Sequence, residues 1–256
     1  MRSHDDLARA EAELRIAAAA MTKTQPKVAL AYSGGAESGL LLHLLRPFRD
    51  RVAVGWADPG VLPHDRAHVL RETSAWPGFV HIPVDRAAAW RTNGLPSPIV
   101  PTAHDPMAAS DKAMPSPPIT SMAACCARLR WGAVLAWCRS SGVSLLIHGQ
   151  RHGEGSGLFA GASAAGTWSP LATWTRDEVM ARVEWHGIAL PMQYAEGYAE
   201  SAECAVCPAY LAPARMAFLR RRYPAEHAET LRLARKVYAA ADKAHAAFAA
   251  ELAAAE

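Results

Sequence analysis

The stretch Lys27-Val-Ala-Leu-Ala-Tyr-Ser-Gly-Gly-Ala-Glu-Ser38 sets a short apolar run directly before two adjacent glycines, and Leu40-Leu-Leu-His-Leu-Leu45 follows. The first run has the length of a strand and the leucine-rich run reads as helix. The stretch is therefore strand, glycine turn, helix, the opening of an α/β unit. The alternation continues outward. Arg51-Val-Ala-Val-Gly-Trp56 reads as a second strand, residues 64–73 as a helix, and Phe79-Val-His-Ile-Pro-Val84 as a third strand. Residues 122–139 are apolar at helical intervals, Ser144-Leu-Leu-Ile-His148 is a fourth strand, and residues 175–187 form a helix. Thr175 is its N-cap and Glu178 closes a capping box. Strands and helices in this order require right-handed crossovers, so the expected fold is α/β with a mainly parallel sheet flanked by helices. Residues 4–22 read as an amphipathic helix that Gln25-Pro26 ends. From Pro208 onward the chain is mostly helical, an Ala-rich C-terminal extension.

Residues 93–118 break the pattern with seven of the eighteen prolines. A loop of that length is either a lid over a substrate or a plain irregular insertion, and the two readings weigh equally. No internal repeat is visible.

Bulk properties narrow the class. The chain has 256 residues, 51% hydrophobic and 20% charged, the composition of a globular domain with one sizeable core. The net charge of +3 suits an anionic ligand without requiring nucleic acid. No run approaches the roughly 20 apolar residues that span a bilayer, and the N-terminus lacks an apolar signal region. A cytoplasmic protein with no membrane partner is expected. Five cysteines without a signal peptide argue against a disulfide framework and for metal or redox work.

The glycine turn is a candidate anion cradle. Glycines let backbone N–H groups approach a phosphate without a Cβ in the way. The following helix contributes unpaired N–H groups and a positive dipole end, and Ser33 and Ser38 add hydroxyls. Gly-Lys-Ser/Thr is absent, which excludes a Walker A loop, and the third glycine of a dinucleotide fingerprint is misplaced. The plainer alternative is a tight strand–helix turn. The candidate binding residues are Ser33, Gly34, Gly35, Glu37 and Ser38.

Ser-Gly-Gly-x-x-Ser after the first strand resembles the PP-loop superfamily, the adenine nucleotide α-hydrolase-like fold. Two further stretches are similar to its phosphoadenylyl-sulfate and adenylyl-sulfate reductase branch. Trp56-Ala-Asp-Pro-Gly60 with Leu62-Pro63 is similar to the Asp-Thr-Gly segment after the second strand. Ser169-Pro-Leu-Ala-Thr-Trp-Thr-Arg-Asp-Glu-Val179 is similar to that branch's Pro-Leu-x-x-Trp stretch, and Gly149-Gln-Arg151 resembles its Gly-x-Arg loop. The resemblance spans roughly residues 27–210. It implies an adenine nucleotide ligand (adenylyl-sulfate, phosphoadenylyl-sulfate or ATP), its anionic end on the glycine turn, Asp58 and Gly60 near the nucleoside, and Arg151 on phosphate or sulfate. It divides the chain into an N-terminal helix, 1–24, a nucleotide-binding domain, 25–210, and a C-terminal helical region, 211–256.

Cys125-Cys126 and Cys204-Ala-Val-Cys207 supply four thiols. A Cys-x-x-Cys pair converges naturally on one metal. Helix neighbours such as Cys125 and Cys126 point about 100° apart, which suits an iron–sulfur cube better than a single ion. Four thiolates match the ligand count of [4Fe–4S], and the same pattern holds that cluster in the adenylyl-sulfate reductases. Zinc, or a redox-active or empty thiol set, are the alternatives. Where those reductases carry a lysine four places beyond the second cysteine, this chain has Arg130, a candidate catalytic cation with Arg151. Cys138 reads as a buried apolar residue, His148 and His152 as structural histidines, and His64 as a helix-start residue. Arg128 and Arg220-Arg-Arg222 read as solvated charges, which leaves nucleic acid as a partner without a supporting motif.

The resemblance stops at the C-terminal region. The reductases attack sulfur with a thiol in a Glu-Cys-Gly-Leu-His tail and are discharged by thioredoxin. No cysteine follows Cys207 here. A reductase-like enzyme with a thioredoxin-like or other donor is the first reading. The second is an ATP-dependent enzyme that adenylates an acceptor for sulfur transfer, with Mg²⁺ on Glu37 or Asp58. A non-catalytic nucleotide-binding scaffold with a structural cluster is the third. Glu37 is equally readable as a first-turn acid favoured by the helix dipole. The oligomeric state, including a homo-oligomer, is open.

Overall fold

The computed structural model describes residues 2–99, 119–151, 166–200 and 203–255. His152 and residues 100–118 of the Pro-rich stretch lie outside them. Helix α1 (His4–Thr24) starts on Ser3, whose hydroxyl accepts the Asp6 N–H while the Asp6 carboxylate accepts the Ser3 N–H. Then follow β1 (Val28–Ala31), α2 (Ala36–Leu44), β2 (Val52–Asp58), α3 (Pro63–Thr73), β3 (Phe79–Pro83), α4 (Arg86–Asn93) and β4 (Leu95–Ser97). The second part holds β5 (Ile119–Ser121), α5 (Met122–Cys126), a π-helical segment (Ala127–Gly132), α6 (Ala133–Ser140) and β6 (Leu145–Ile147). It ends with β7 (Gly166–Trp168), α7 (Arg176–Trp185), α8 (Pro213–Arg222) and α9 (Pro224–Ala255).

The expected α/β architecture is present. Five strands lie in the order β3-β2-β1-β6-β7, every neighbouring pair parallel. The chain walks outward from β1 to β3, then returns to the far side of β1 with β6. Strand order therefore reverses between β1 and β6, and the strand ends there leave a crevice. A separate parallel pair joins β4 to β5.

Alternation along the strands sorts the two faces. Val28, Leu30, Val52, Val54 and Trp56 pack under α1, α2 and α7 in the larger core. Ala29, Ala31, Ala53 and Ala57 face α6. Small residues on that face let α6 approach closely. A Cβ at Gly55 would stand 2.4 Å from the Trp137 ring, so any side chain there would force that ring to move.

The structure differs from the sequence reading in three places. The helix expected over 122–139 is interrupted by a π segment, which periodicity alone does not reveal. The helix after the glycine turn starts at Ala36, before the leucines. Helix α4 and the strands β4, β5 and β7 were not foreseen. These three strands have three residues each, too few to establish a period of two.

Buried charge ties α1 to α7. The Arg182 guanidinium donates through Nε and Nη2 to both Glu11 carboxylate oxygens at 2.7 Å, with both side chains almost wholly buried. His186 adds a contact at 3.0 Å. Burial pushes the Glu11 pKa up, but hydrogen bonds from Arg182 and His186 outweigh it and hold the group below the usual carboxylate range. Removing one partner of a buried pair strands the other. Glu11→Ala is expected to cost about 3–5 kcal/mol, read as a lower urea midpoint, whereas Glu229→Ala, in an exposed pair with Arg232, should barely move it.

Candidate functional site

The turn after β1 lies at the crevice between β1 and β6. Gly34 has φ 77°, a conformation that favours glycine. The turn is closed by its own hydroxyls: Ser38 Oγ donates to the Gly35 carbonyl at 3.2 Å and accepts the Ser33 N–H at 3.2 Å, and Ser33 Oγ accepts the Gly35 N–H at 3.4 Å. The Ala36 N–H, at the start of α2, donates to the Tyr194 hydroxyl at 3.3 Å. Most of these contacts are long, so an anion that offers better acceptors can replace them. From the other side of the crevice, Gly149 follows β6. A Cβ there would meet Glu37 Cβ at 2.9 Å and the backbone of Glu37 and Ser38 at 3.2 Å. The missing side chain is what lets the two strand exits close on one another.

Above this junction opens a cavity of about 300 Å³. Ser33, Glu37 and Ser38 form one wall, Cys126 and Arg130 another, and Arg176 a third. Of the predicted site residues, the structure therefore gathers the serines of the glycine turn, Glu37, Arg130 and Cys126 around one space. Arg151 stands beside it, its Nε 3.3 Å from Glu37 Oε1.

Other predicted residues are placed differently. Asp58 is buried; Oδ1 accepts the Gly60 and Val61 N–H groups, and Oδ2 meets Arg66 at 2.7 Å and His81 at 3.0 Å. It closes the turn after β2 and does not line the cavity. Gly60, with φ 83°, gives its carbonyl to Arg86 Nη1 at 2.9 Å. Glu37 and Asp58, the two carboxylates put forward for Mg²⁺, thus already carry cationic partners. Among the described residues no three His, Cys, Asp or Glu side chains stand close enough to hold one metal ion.

The two thiol pairs are positioned by separate elements, and among the described residues no three of these side chains cluster closely enough for one metal ion. Ser121 caps α5, accepting the Ala124 N–H, and so delivers Cys125 and Cys126 on its last turn. Cys204 forms an antiparallel bridge with Val61, and the Ala205 N–H donates to the Gly60 carbonyl at 3.0 Å. The Cys204-to-Cys207 loop is thereby hung from the turn that Asp58 closes. Buried Arg215 holds it from below, donating to the carbonyls of Cys204, Ala205 and Tyr210 at 3.2, 3.1 and 2.7 Å. Burial pushes the Cys126 thiol up to about 11; Arg130 opposes this, and Cys207 and Cys125 add to it. Burial likewise pushes Cys204 up to about 11, against Arg86 and Arg130, with Cys126 and Cys125 adding to the rise. Each pair acts electrostatically on the other. Cys125 is raised by burial and lowered by the Trp90 indole N–H. That indole nitrogen is buried with no conventional hydrogen-bond acceptor, and a thiolate or sulfide would satisfy it.

Sequence reading missed Arg176, Arg215, Trp90 and Tyr194. Only Arg176 had a signal: it follows the N-cap Thr175, on a helix that starts at the strand ends. Cys138 is buried in the α6 core, as expected of an apolar residue. His148 is buried and its pKa falls to about 4, so it is neutral near pH 7. His64 starts α3 as expected and bridges the Tyr223 hydroxyl and Gln193 Oε1, both at 2.7 Å. Arg128, read as solvated, donates to the Thr120 hydroxyl at 3.1 Å. Arg221 and Arg222 pair with Glu196.

No family model matches the chain, and no curated protein matches it. Among solved structures, it is similar to the phosphoadenylyl-sulfate reductase of Candida auris, a phosphate complex, at 13% identity and a TM-score of 0.47. The match covers 78% of this chain and 95% of that one. A likeness this distant says nothing of substrate or activity.

Two substitutions test the scaffold. Gly149→Ala is expected to lose about 1–3 kcal/mol in chemical denaturation, because its Cβ must displace backbone atoms at the first turn of α2. Arg215→Ala leaves three carbonyls without their charged donor and is expected to cost about 3 kcal/mol or more. It should also make the Cys207 thiol react faster with an alkylating reagent, followed by mass spectrometry.

Proposed function

We propose that the chain binds an adenine nucleotide, with its phosphate or sulfate end on Ser33–Ser38, as a sulfonucleotide-reductase-like enzyme of sulfur metabolism. In the same proposal Cys125, Cys126, Cys204 and Cys207 hold a [4Fe–4S] cluster beside that nucleotide. The observation that carries it is a single cavity whose walls include both the glycine turn and the Cys126–Arg130 pair.

The chemistry of the donor set supports this reading. Four thiols act on one another across two loops. Arg86, Arg130 and Arg215 lie close enough to favour their charged forms. The buried Trp90 N–H faces Cys125 and favours its charged form. A thiolate set without those cations would be costly in a buried site. When bound, the cluster would supply one-electron chemistry or a fixed local charge next to the ligand. The residues of the chain do the rest. The turn presents hydroxyls and N–H groups to the anion. Arg130, between the thiols and the cavity, steadies charge at the ligand's reacting end. The reducing equivalents would come from a thioredoxin-like or comparable donor.

One observation favours the second reading, an ATP-dependent enzyme that adenylates an acceptor for sulfur transfer. Cys126 is the only thiol lining the cavity among the described residues, and burial keeps it protonated near pH 7. A covalent attack on sulfur needs a thiolate.

Anaerobically purified protein is expected to be brown and to contain about four irons per chain; colourless, zinc-loaded protein would remove the cluster. Calorimetry of that protein with adenylyl-sulfate, its 3′-phosphate and ATP ranks the ligands. Sulfite release with a thioredoxin supports the reductase, and pyrophosphate release from ATP supports the adenylating enzyme. Failure to bind any of the three ends the nucleotide proposal.

A further inference from the structure

We propose that the chain carries a second anion site, a cavity at the C-terminal ends of α2 and α3 that takes a small phosphate compound with at least two negative charges. The site lies apart from the glycine turn and does not rest on the nucleotide proposal.

The cavity has a volume of about 420 Å³, larger than the one above the glycine turn. The first cavity opens at the N-terminal end of α2, through Glu37 and Ser38; this one opens toward the other end, through His43 and Arg46. Arg46, Arg49 and Arg71 line it against a single lining carboxylate, Glu72. Glu72 Oε1 already accepts from Arg71 Nε at 3.0 Å. Asp50, next in sequence to Arg49, lines a different hollow. Among the described residues neither Arg46 nor Arg49 has a carboxylate partner. Three guanidinium groups less one carboxylate leave two positive charges at one opening, in a chain whose whole net charge is +3. His43 and His186 stack at 4.5 Å along one wall. His186 Nε2 is engaged by Glu11. Burial, with His186 and Arg15 nearby, holds His43 below the usual histidine range, so the surplus charge comes from the arginines.

Helix C-termini attract cations, and the plainer account is that these arginines only offset the dipoles of α2 and α3. That account leaves two donors unexplained. Tyr32 and Trp76 are 4% and 6% exposed, and both line the cavity. Among the described residues the Tyr32 hydroxyl and the Trp76 indole N–H have no hydrogen-bond partner, yet neither is sealed inside the protein. Burial raises the Tyr32 pKa, and the charged groups that act on it are Glu72 and Arg71, both of this cavity. The hydroxyl therefore stays protonated and donates. Guanidinium groups, a phenol and an indole N–H form a wall of donors, and an anion with several acceptor oxygens matches it. The volume is that of a small-molecule site. A monoanion would leave half of the surplus charge uncompensated, whereas a phosphate monoester or diphosphate meets it.

The probe is inorganic pyrophosphate, at physiological salt to screen loose surface attraction. Phenylglyoxal labelling followed by peptide mass spectrometry reads each arginine separately, so this cavity is told apart from the glycine turn. Pyrophosphate is expected to slow the labelling of Arg46 and Arg49 about fivefold or more, while Arg235, exposed on α9, is unaffected. The pyrophosphate concentration that half-protects Arg71 should rise about tenfold in Arg46→Gln/Arg49→Gln and about fivefold in Tyr32→Phe, each variant being checked by thermal melting. Protection of Arg176, which lines the first cavity, should be the same in the wild type and the arginine variant. No protection of Arg46 and Arg49, or equal protection by sodium chloride at the same ionic strength, overturns the proposal. A response to the arginine variant with none to Tyr32→Phe also overturns it, because the cavity is then a surface charge patch and not a built site.

Discussion

The close approach of two strand exits at the reversal of strand order sets the geometry of everything above the sheet. β1 and β6 are neighbours in space but far apart in sequence. Each leads into a loop that must turn away from the other. Gly149 lets them meet, because a side chain there would press on the backbone of α2. The first turn of α2 is in consequence pinned against the β6 loop, and Glu37 is brought within reach of Arg151. A wider junction would leave the glycine turn facing a broad cleft. The narrow one turns it into a wall of a cavity small enough for two arginines and a carboxylate to crowd.

The molecule spends buried charge at its joints. Glu11 and Arg182 tie the N-terminal helix to α7, Asp58 closes the β2 turn, and Arg215 carries the Cys204 loop. Each of these fixes the angle at which two segments meet. A hydrophobic contact there would be non-directional, whereas a guanidinium fixes several carbonyl or carboxylate oxygens at set angles. The Cys204 loop shows the advantage. It has no regular structure, yet Arg215, the Val61 bridge and the Gly60 carbonyl hold it from separate sides.

How much of this the sequence discloses varies with the range of the interaction. The strand, turn and helix from Lys27 to Leu45 are legible because their causes are local: apolar runs of the right length and a glycine, Gly34, where φ is positive. The capping box at Thr175 and Glu178 is legible for the same reason. The pairing of Glu11 with Arg182 is not, since nothing near either residue names its partner. Pro96 sits in β4, within a stretch whose prolines argue for irregular chain; a two-stranded pair has open edges that tolerate it. Residues 122–139 keep a helical period through the π segment, whose wider turn is set by packing rather than by composition. At the site, the glycine turn and the thiols are visible as unusual residue patterns. Arg176 is a common residue at a common helix position, and only the fold shows that it faces Glu37.

Arg130 joins the two halves of the site. It lines the cavity and acts on Cys126 and Cys204. It also acts on two carboxyl groups, buried Asp65 and partly buried Glu203, that desolvation pushes above the usual carboxylate range. Glu203 accepts the Tyr198 hydroxyl at 2.8 Å and directly precedes Cys204. A cation among two carboxyls and two thiols is surrounded by more potential negative charge than it can neutralise. Lysine, a compact point charge, would favour one partner at a time; the broad arginine fork can face the cavity and the thiols at once.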